Sequence, residues 1–461
     1  MKTRFINVFI LAMLNISALD SLRGLPVIAQ YGLQSVGYYF LVAIFFLLPS
    51  ALTSAELATG WPHACGVNTW IKEAFGPRWG FFAVWMQWIH NVTWFPTILS
   101  FIAATISYLL LPELAQNKFY LIAVILIGFW GFTILNFFGI KTSAWVSTLC
   151  VVFGTIIPGL ALVALALHWV LTGHEIETPF TLIDMIPTVT GYGDLAFLGA
   201  MVLSFGGLEL SAVHVAEIKN PQKNFPKAIL LAATIALALY SCVAVSIAIV
   251  IPQAEINLLS GLIQTFTIFF ENLGLGWFLV PMGLMLTLGA VAELNSWVIS
   301  PARAIQATSK QGILPDLFCK QNRYGMPQNI LLIQACVVTV ISLVFLCMPT
   351  TSSAFWILSA TSVQLYLLMY ILMFSAMIKL RYSHAHIHRS YKIPFGTKGA
   401  WVIGSLGIIS SVFTFLITFV PPSQLMVGNL YFYETFLIGG MLLMCIVPHL
   451  VYHKSKKKPL S

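Results

Sequence analysis

Charge is what this sequence has least of: 8% of its 461 residues are Asp, Glu, Lys or Arg, against 59% that are apolar. A soluble domain of this length needs a wetted exterior of charged and polar side chains, and too few are present to build one. The usual spacings of metal and redox chemistry are missing as well. The seven cysteines, Cys65, Cys150, Cys242, Cys319, Cys336, Cys347 and Cys445, stand singly and form no C-x-x-C pair, so they read as packing residues and no metal or cofactor is expected. No G-x-x-x-x-G-K-[ST] phosphate loop occurs, which removes support for an ATP-driven pump.

Long apolar runs fill the chain instead. Stretches of about 20 apolar residues, enough to cross a bilayer as helix, lie near residues 6–33, 37–60, 80–111, 119–139, 143–171, 192–214, 227–252, 274–306, 328–347, 353–378, 400–420 and 431–453. Met1-Lys2-Thr3-Arg4 precedes the first run without a small-residue cleavage site after it, so that run is expected to be a span rather than a signal peptide. The expectation is an all-α integral membrane protein of about twelve spans.

With the amino terminus inside, every Lys and Arg from Lys2 to Lys458 falls on the inner side except Lys118, in an outer loop, and Arg23, within a span. This is the positive-inside bias, and one misplaced span would scramble it. It predicts a bacterial inner (cytoplasmic) membrane protein with both termini cytoplasmic. The net charge of +8 is then a consequence of topology and calls for no nucleic acid, and the terminal Lys454-Ser455-Lys456-Lys457-Lys458 run is suited to anionic lipid.

Two spans break their own rules. In the first, Asp20, Ser21, Arg23, Gly24 and Pro26 interrupt an apolar run. Gly and Pro permit unwinding, and a charge exposed to lipid there would cost at least ~2.5 kcal/mol, so the segment is expected to face a cavity. Arg23 either meets a ligand or is neutralised by Asp20 or Glu209. In the sixth span, Phe205-Gly206-Gly207-Leu208-Glu209 places a glycine pair directly before an intramembrane carboxylate. The two breaks open two comparable runs of five spans, as inverted repeats do. The expected division is 1–191, 192–380, and 381–461 for helices 11–12 and a basic tail. Half-helix amino ends facing a carboxylate, with freed carbonyls and Glu209 facing an ammonium, suit a zwitterionic amino acid. Glu56 and Glu293 are also intramembrane; Glu56 reads as structural, Glu293 as site or structure, and Glu209 and Glu293 are the carboxyls placed to carry a proton.

Phe205-Gly206-Gly207-Leu208-Glu209 resembles the Phe-x-Gly-x-Glu element of the amino acid–polyamine–organocation transporters. Ser211 through Pro221, Val250 through Leu258, Gln264-Thr265-Phe266-Thr267, and Ala292-Glu293 with Ser296-Trp297 and Pro301 resemble the bacterial glutamate/GABA antiporter group. The resemblance implies a five-plus-five inverted-repeat carrier, not an enzyme, that exchanges amino acids by alternating access. It adds Trp297, Tyr366 and Tyr370 to the site; the two tyrosines are four residues apart and so share a helix face. Two departures matter. The group's exchangers carry tyrosines in the first break where this chain has Leu22-Arg23-Gly24-Leu25-Pro26, and a guanidinium there suits a side-chain carboxylate. Their long carboxy-terminal plug has no counterpart after the twelfth run, so plug gating is not expected.

Other features read more plainly. His384, His386 and His388 beside Arg381 and Arg389 form a basic loop rather than a metal site. His90, His168 and His214 stand singly in or near spans, as packing or hydrogen-bonded residues do. Thr188-Val189-Thr190-Gly191-Tyr192-Gly193-Asp194 resembles a potassium-channel filter with one residue inserted, but a filter needs four equivalent loops and this chain has one. Proton-coupled import of a neutral or cationic amino acid or polyamine remains the competing transport reading, and monomer and homodimer are both compatible with the sequence.

Overall fold

The structure is a computed structural model that describes residues 7–19, 22–61, 66–139, 144–179, 181–189, 191–309 and 314–456. Among the described residues, twelve helices are long and apolar enough to cross a membrane, one for each apolar run. They are α1 (Val8–Ala29), α2 (Gln34–Gly60), α3 (Pro77–Leu110), α4 (Lys118–Phe137), α5 (Thr148–Leu171), α6 (Tyr192–Ala212), α7 (Lys223–Val250), α8 (Gly276–Ser309), α9 (Gln328–Cys347), α10 (Thr351–Ser383), α11 (Gly396–Ile417) and α12 (Leu430–His453).

Burial sorts them into layers. In the most apolar 18-residue stretch of each span, 83% of the residues lie inside the protein in α3, 89% in α6 and 83% in α10, against 28% in α4 and 22% in α12. The inner spans are the ones with polar side chains around their circumference, which lipid would leave without partners. On α3, Thr93 and Ser362 of α10 share a 2.8 Å hydroxyl contact, Ser362 donates to the His90 carbonyl at 2.8 Å, and Trp88 donates its indole N–H to Gln334 of α9 at 2.9 Å. The outer spans α4, α11 and α12 expose Ile127, Ile409 and Leu443, as a lipid-facing surface should.

Both expected breaks are present. Regular helix in α1 covers Val8–Ala18, Leu19 is extended, and the chain resumes with a 3-10 turn at Leu22–Gly24 and a short helix at Leu25–Ala29 that has Pro26 in its first turn. In α6 the helix Leu198–Ser204 gives way to a turn through Phe205, Gly206 and Gly207, then to a 3-10 segment over Leu208–Glu217. Gly207 has φ +113°, and a Cβ on it would lie 2.2 Å from the Ala18 carbonyl oxygen. The residue must therefore be glycine twice over, for its backbone angle and for the close approach of the two breaks.

Two amphipathic loop helices were not legible as spans because they are too short. Val67–Phe75, between α2 and α3, buries Val67, Trp70, Ile71 and Ala74, the i, i+3, i+4, i+7 stripe of a surface helix. Gly261–Asn272, between α7 and α8, buries Leu262, Ile263, Phe266, Phe269 and Phe270. One follows an even number of spans and the other an odd number, so they lie on opposite sides of the membrane layer.

α5 and α8 cross closely as well: a Cβ on Gly289 would meet the Gly154 carbonyl oxygen at 2.7 Å and the Gly154 Cα at 2.9 Å. Gly289→Val is expected to destabilise the protein by about 1–3 kcal/mol through overpacking, seen as a lower thermal midpoint in detergent. Gly131→Ala on α4, where an added Cβ meets nothing within 4 Å, should leave the midpoint unchanged or slightly higher.

Candidate functional site

The contact between the breaks is organised around Glu209. Its carboxylate is buried and accepts from three side chains: the Tyr366 hydroxyl on Oε1, the Tyr370 hydroxyl on Oε2 at 2.6 Å, and the Gln87 amide on Oε1 at 3.3 Å. Spacing by one turn along α10 lets both phenols reach one carboxyl group. Tyr370 also accepts from the Gly207 backbone N–H at 2.9 Å, taking up a donor that the α6 break sets free. The tyrosines, expected as pocket lining, thus clamp the carboxylate and stitch the broken backbone.

Beside this clamp lies a cavity where five spans converge. Ala18 comes from α1, His90, Asn91 and Trp94 from α3, Leu203 and Gly206 from α6, Glu293 and Trp297 from α8, and Tyr366 from α10. The His90 ring lies flat on Tyr366, with centroids 4.0 Å apart and planes 4° apart, while Trp297 meets His90 edge-on at 5.6 Å. The lining therefore combines aromatic faces, a carboxyl group and the carbonyl end of a half-helix. Such a set matches the chemistry of an ammonium and an apolar stem, in a cavity that as it stands has room for about one water.

Arg23 is buried two turns along α3 from His90. Its Nη1 donates to the Thr97 hydroxyl at 2.8 Å, and its guanidinium carbon lies 5.3 Å from the Trp94 ring centroid and 5.5 Å from that of Phe355. The pairing with Glu209 weighed from the sequence is not present: Arg23 Nη1 donates to Thr97, and Glu209 accepts from the two phenols and Gln87. Asp20 and Ser21 lie outside the described residues. Gly24 is buried in the 3-10 turn of α1. Phe205 does not line the cavity; it packs against Tyr39 and Tyr240 at 5.4 and 6.2 Å.

The α3 wall was missed by sequence reasoning. Its only signal was density: Gln87, His90, Asn91, Thr93 and Thr97 crowd polar groups into three turns of one span. His90 packs as expected of a single histidine, yet neither ring nitrogen has a hydrogen-bond partner.

Glu56 belongs to a separate cluster near the end of α2. Arg381 Nη2 lies 2.5 Å from Oε2, Arg389 Nε 3.7 Å from Oε1, and the Ile393 N–H donates to Oε2 at 2.9 Å. Arg389 also donates to the Leu380 carbonyl at 2.7 Å and stacks over Trp61 at 5.4 Å. Burial pulls the Arg389 guanidinium below its ordinary pKa, Glu56 raises it again and Arg381 adds a lesser repulsion. Glu56 thus ties α2 to α10 and the loop after it, the structural part expected of it. In that loop, His384 Nε2 lies 3.7 Å from a Glu73 carboxylate oxygen.

Twelve spans around a buried polar cavity, two of them broken at that cavity, are the architecture of a membrane carrier. Comparison with known proteins places it more narrowly: residues 6–442 match the amino acid permease family model, and the chain belongs to that family. It is similar to an uncharacterized transporter of Legionella pneumophila, 40% identical over 99% of this chain and 98% of that protein. It is also similar to the glutamate/gamma-aminobutyrate antiporter of Lactococcus lactis subsp. lactis, 31% identical over 99% of this chain and 92% of the relative. A probable agmatine/putrescine antiporter of the same subspecies is 24% identical over 86% of this chain and 83% of its own. The protein is a transporter and not an enzyme.

Tyr370→Phe removes both the donor to Glu209 Oε2 and the acceptor for the Gly207 N–H. Leaving these buried groups unpaired should cost about 1–3 kcal/mol, read as a fall in thermal midpoint. An unchanged midpoint would mean that the α6 break does not depend on this phenol.

Proposed function

We propose that this protein exchanges small amino acids across a bacterial inner membrane by alternating access, with glutamate and a related amino acid or amine as its substrates. One observation carries the reading: a guanidinium and a carboxylate are buried at the facing breaks of α1 and α6, Arg23 held against Thr97, Trp94 and Phe355, and Glu209 by Tyr366, Tyr370 and Gln87. Arg23 presents a planar cation suited to the second carboxylate of an acidic amino acid. Glu209 and the carbonyl end at Ala18 offer an ammonium its acceptors, and Gly24, Gly206 and Gly207 keep backbone accessible at the breaks. Glu293, Trp297, Tyr366 and Tyr370 complete the pocket, with Asp20 and Ser21 next to it in the chain, and Glu209 and Glu293 serve as proton-coupling candidates. The similarity to glutamate/gamma-aminobutyrate antiporters supports this choice.

The same reading takes 1–191 and 192–380 as inverted repeats, with 381–461 appended. The loop helices support it, because each follows the second span of its run and the two lie on opposite sides. Both termini are placed in the cytoplasm, on the side that carries nearly all the Lys and Arg. A second reading, proton-coupled movement of a cationic amine, is favoured by two buried carboxyl groups, Glu209 and Glu293, near one cavity and by the similarity to an agmatine/putrescine antiporter.

Labelled glutamate should enter proteoliposomes preloaded with glutamate or GABA and should not accumulate in buffer-loaded ones. Accumulation in buffer-loaded vesicles under a proton gradient would replace exchange by symport. Arg23→Ala is expected to raise the KM for glutamate at least about tenfold, the loss of a hydrogen bond to a charged group, while amine uptake changes little. Unchanged glutamate selectivity with a lowered thermal midpoint would instead make Arg23 an internally paired structural residue.

A further inference from the structure

His90 is the only cavity-lining side chain among the described residues that can carry a positive charge, and it is 2% exposed. Both of its ring nitrogens are buried without a hydrogen-bond partner. Buried polar side-chain atoms are nearly always paired, and two orphans on one ring call for an explanation. Packing alone is a poor one. The ring stacks on Tyr366 and meets Trp297 edge-on, contacts that a phenylalanine would make with no polar atom to desolvate. The ring borders a cavity that has room here for about one water, so a larger partner reaches it only where the broken spans of the carrier open.

The groups around it define that partner. Glu293 on α8 lines the same cavity, Glu209 on α6 is reached through the Tyr366 hydroxyl of α10, and Arg23 on α1 contacts α3 two turns away at Thr97. The Tyr366 hydroxyl is already given to Glu209, and the Asn91 amide donates to the Gln87 carbonyl at 2.6 Å. A carboxylate entering between Glu209 and Glu293 meets like charges and needs a donor that can turn positive. Imidazole is the side chain that gains a proton most readily near neutrality; burial alone keeps it neutral, and the entering carboxylate supplies the opposite charge that an imidazolium needs.

We propose that His90 is a substrate-contacting, specificity-determining residue: one ring N–H receives the side-chain carboxylate of an acidic amino acid, and the other ring nitrogen takes up a proton from water as that carboxylate binds. The proposal rests on the glutamate reading above and deepens it. Glutamate then binds more tightly as pH falls, while GABA and agmatine, which lack a second carboxylate, do not share that dependence.

The test uses the full-length protein in proteoliposomes with labelled glutamate, GABA and agmatine, between about pH 5 and pH 8, the range in which imidazole titrates. His90→Phe keeps the stack and is expected to raise the KM for glutamate by about 10–100-fold more than it raises the KM for GABA or agmatine, the ratio of a lost hydrogen bond to a charged group. His90→Gln keeps a hydrogen-bond donor without the titration. It should restore part of the affinity and abolish the pH slope, and it carries the test alone if His90→Phe does not fold. Wild-type KM for glutamate with the wild-type pH profile in the variants would overturn the assignment and leave His90 a packing residue. Wild-type protein that carries GABA or agmatine but no glutamate would overturn the substrate reading, and the carboxylate contact with it.

Discussion

A helix that breaks inside lipid must have its freed backbone groups satisfied by protein, because no water is there to do it. The breaks of α1 and α6 meet this requirement partly through each other. Gly207 lacks the Cβ that would strike the Ala18 carbonyl, and its own N–H is taken by the Tyr370 hydroxyl. Tyr370 in turn is held by Glu209, on the same broken span. A carboxylate, two phenols and a glycine thus form a closed set, in which each group supplies what another would lack. The cavity exists because this set holds two half-helices apart from their continuations without exposing their ends to lipid.

The rest of the core follows from supporting that arrangement. α3 must lie against both breaks and against α10, so it carries polar groups around its circumference and is shielded on almost every side. Spans with no such duty, α4, α11 and α12, spend their outer faces on lipid and show little beyond Ile, Leu, Val and Phe there. The gradient from polar interior to apolar exterior inverts the soluble pattern, and it has the same cause: polar atoms gather where they can be paired.

Much of this was legible in the sequence. Twelve apolar runs, the Gly and Pro residues at two of them, and the acid directly after Gly206-Gly207 located the spans and the breaks, since lipid tolerates few other arrangements. Side-chain partnerships were less visible. Tyr366 and Tyr370 could be put on one face, but that they share one carboxylate depends on the depth at which α10 crosses α6, and no local pattern records a depth. Phe205 shows the converse: its neighbours in sequence line the cavity while it packs on Tyr39 and Tyr240, because a turn rotates successive side chains out of register. The loop helices Val67–Phe75 and Gly261–Asn272 escaped because an amphipathic stripe of that length carries too few apolar residues to stand out beside spans.

α10 joins the two buried ionic clusters. It brings Tyr366 and Tyr370 to Glu209 and, about three turns further on, Arg381 to Glu56. Unlike α1, α3, α6 and α8, it contains neither glycine nor proline, so it has no built-in hinge between those contacts. α1 and α6 are interrupted at their breaks, whereas α10 is one continuous helix from Thr351 to Ser383. At Glu56, separating Arg381 or Arg389 from the shared carboxylate would strand a buried charge at a cost of about 3–5 kcal/mol. That cost holds α2, α10 and the loop after α10 together as one buried ionic unit beside the broken spans.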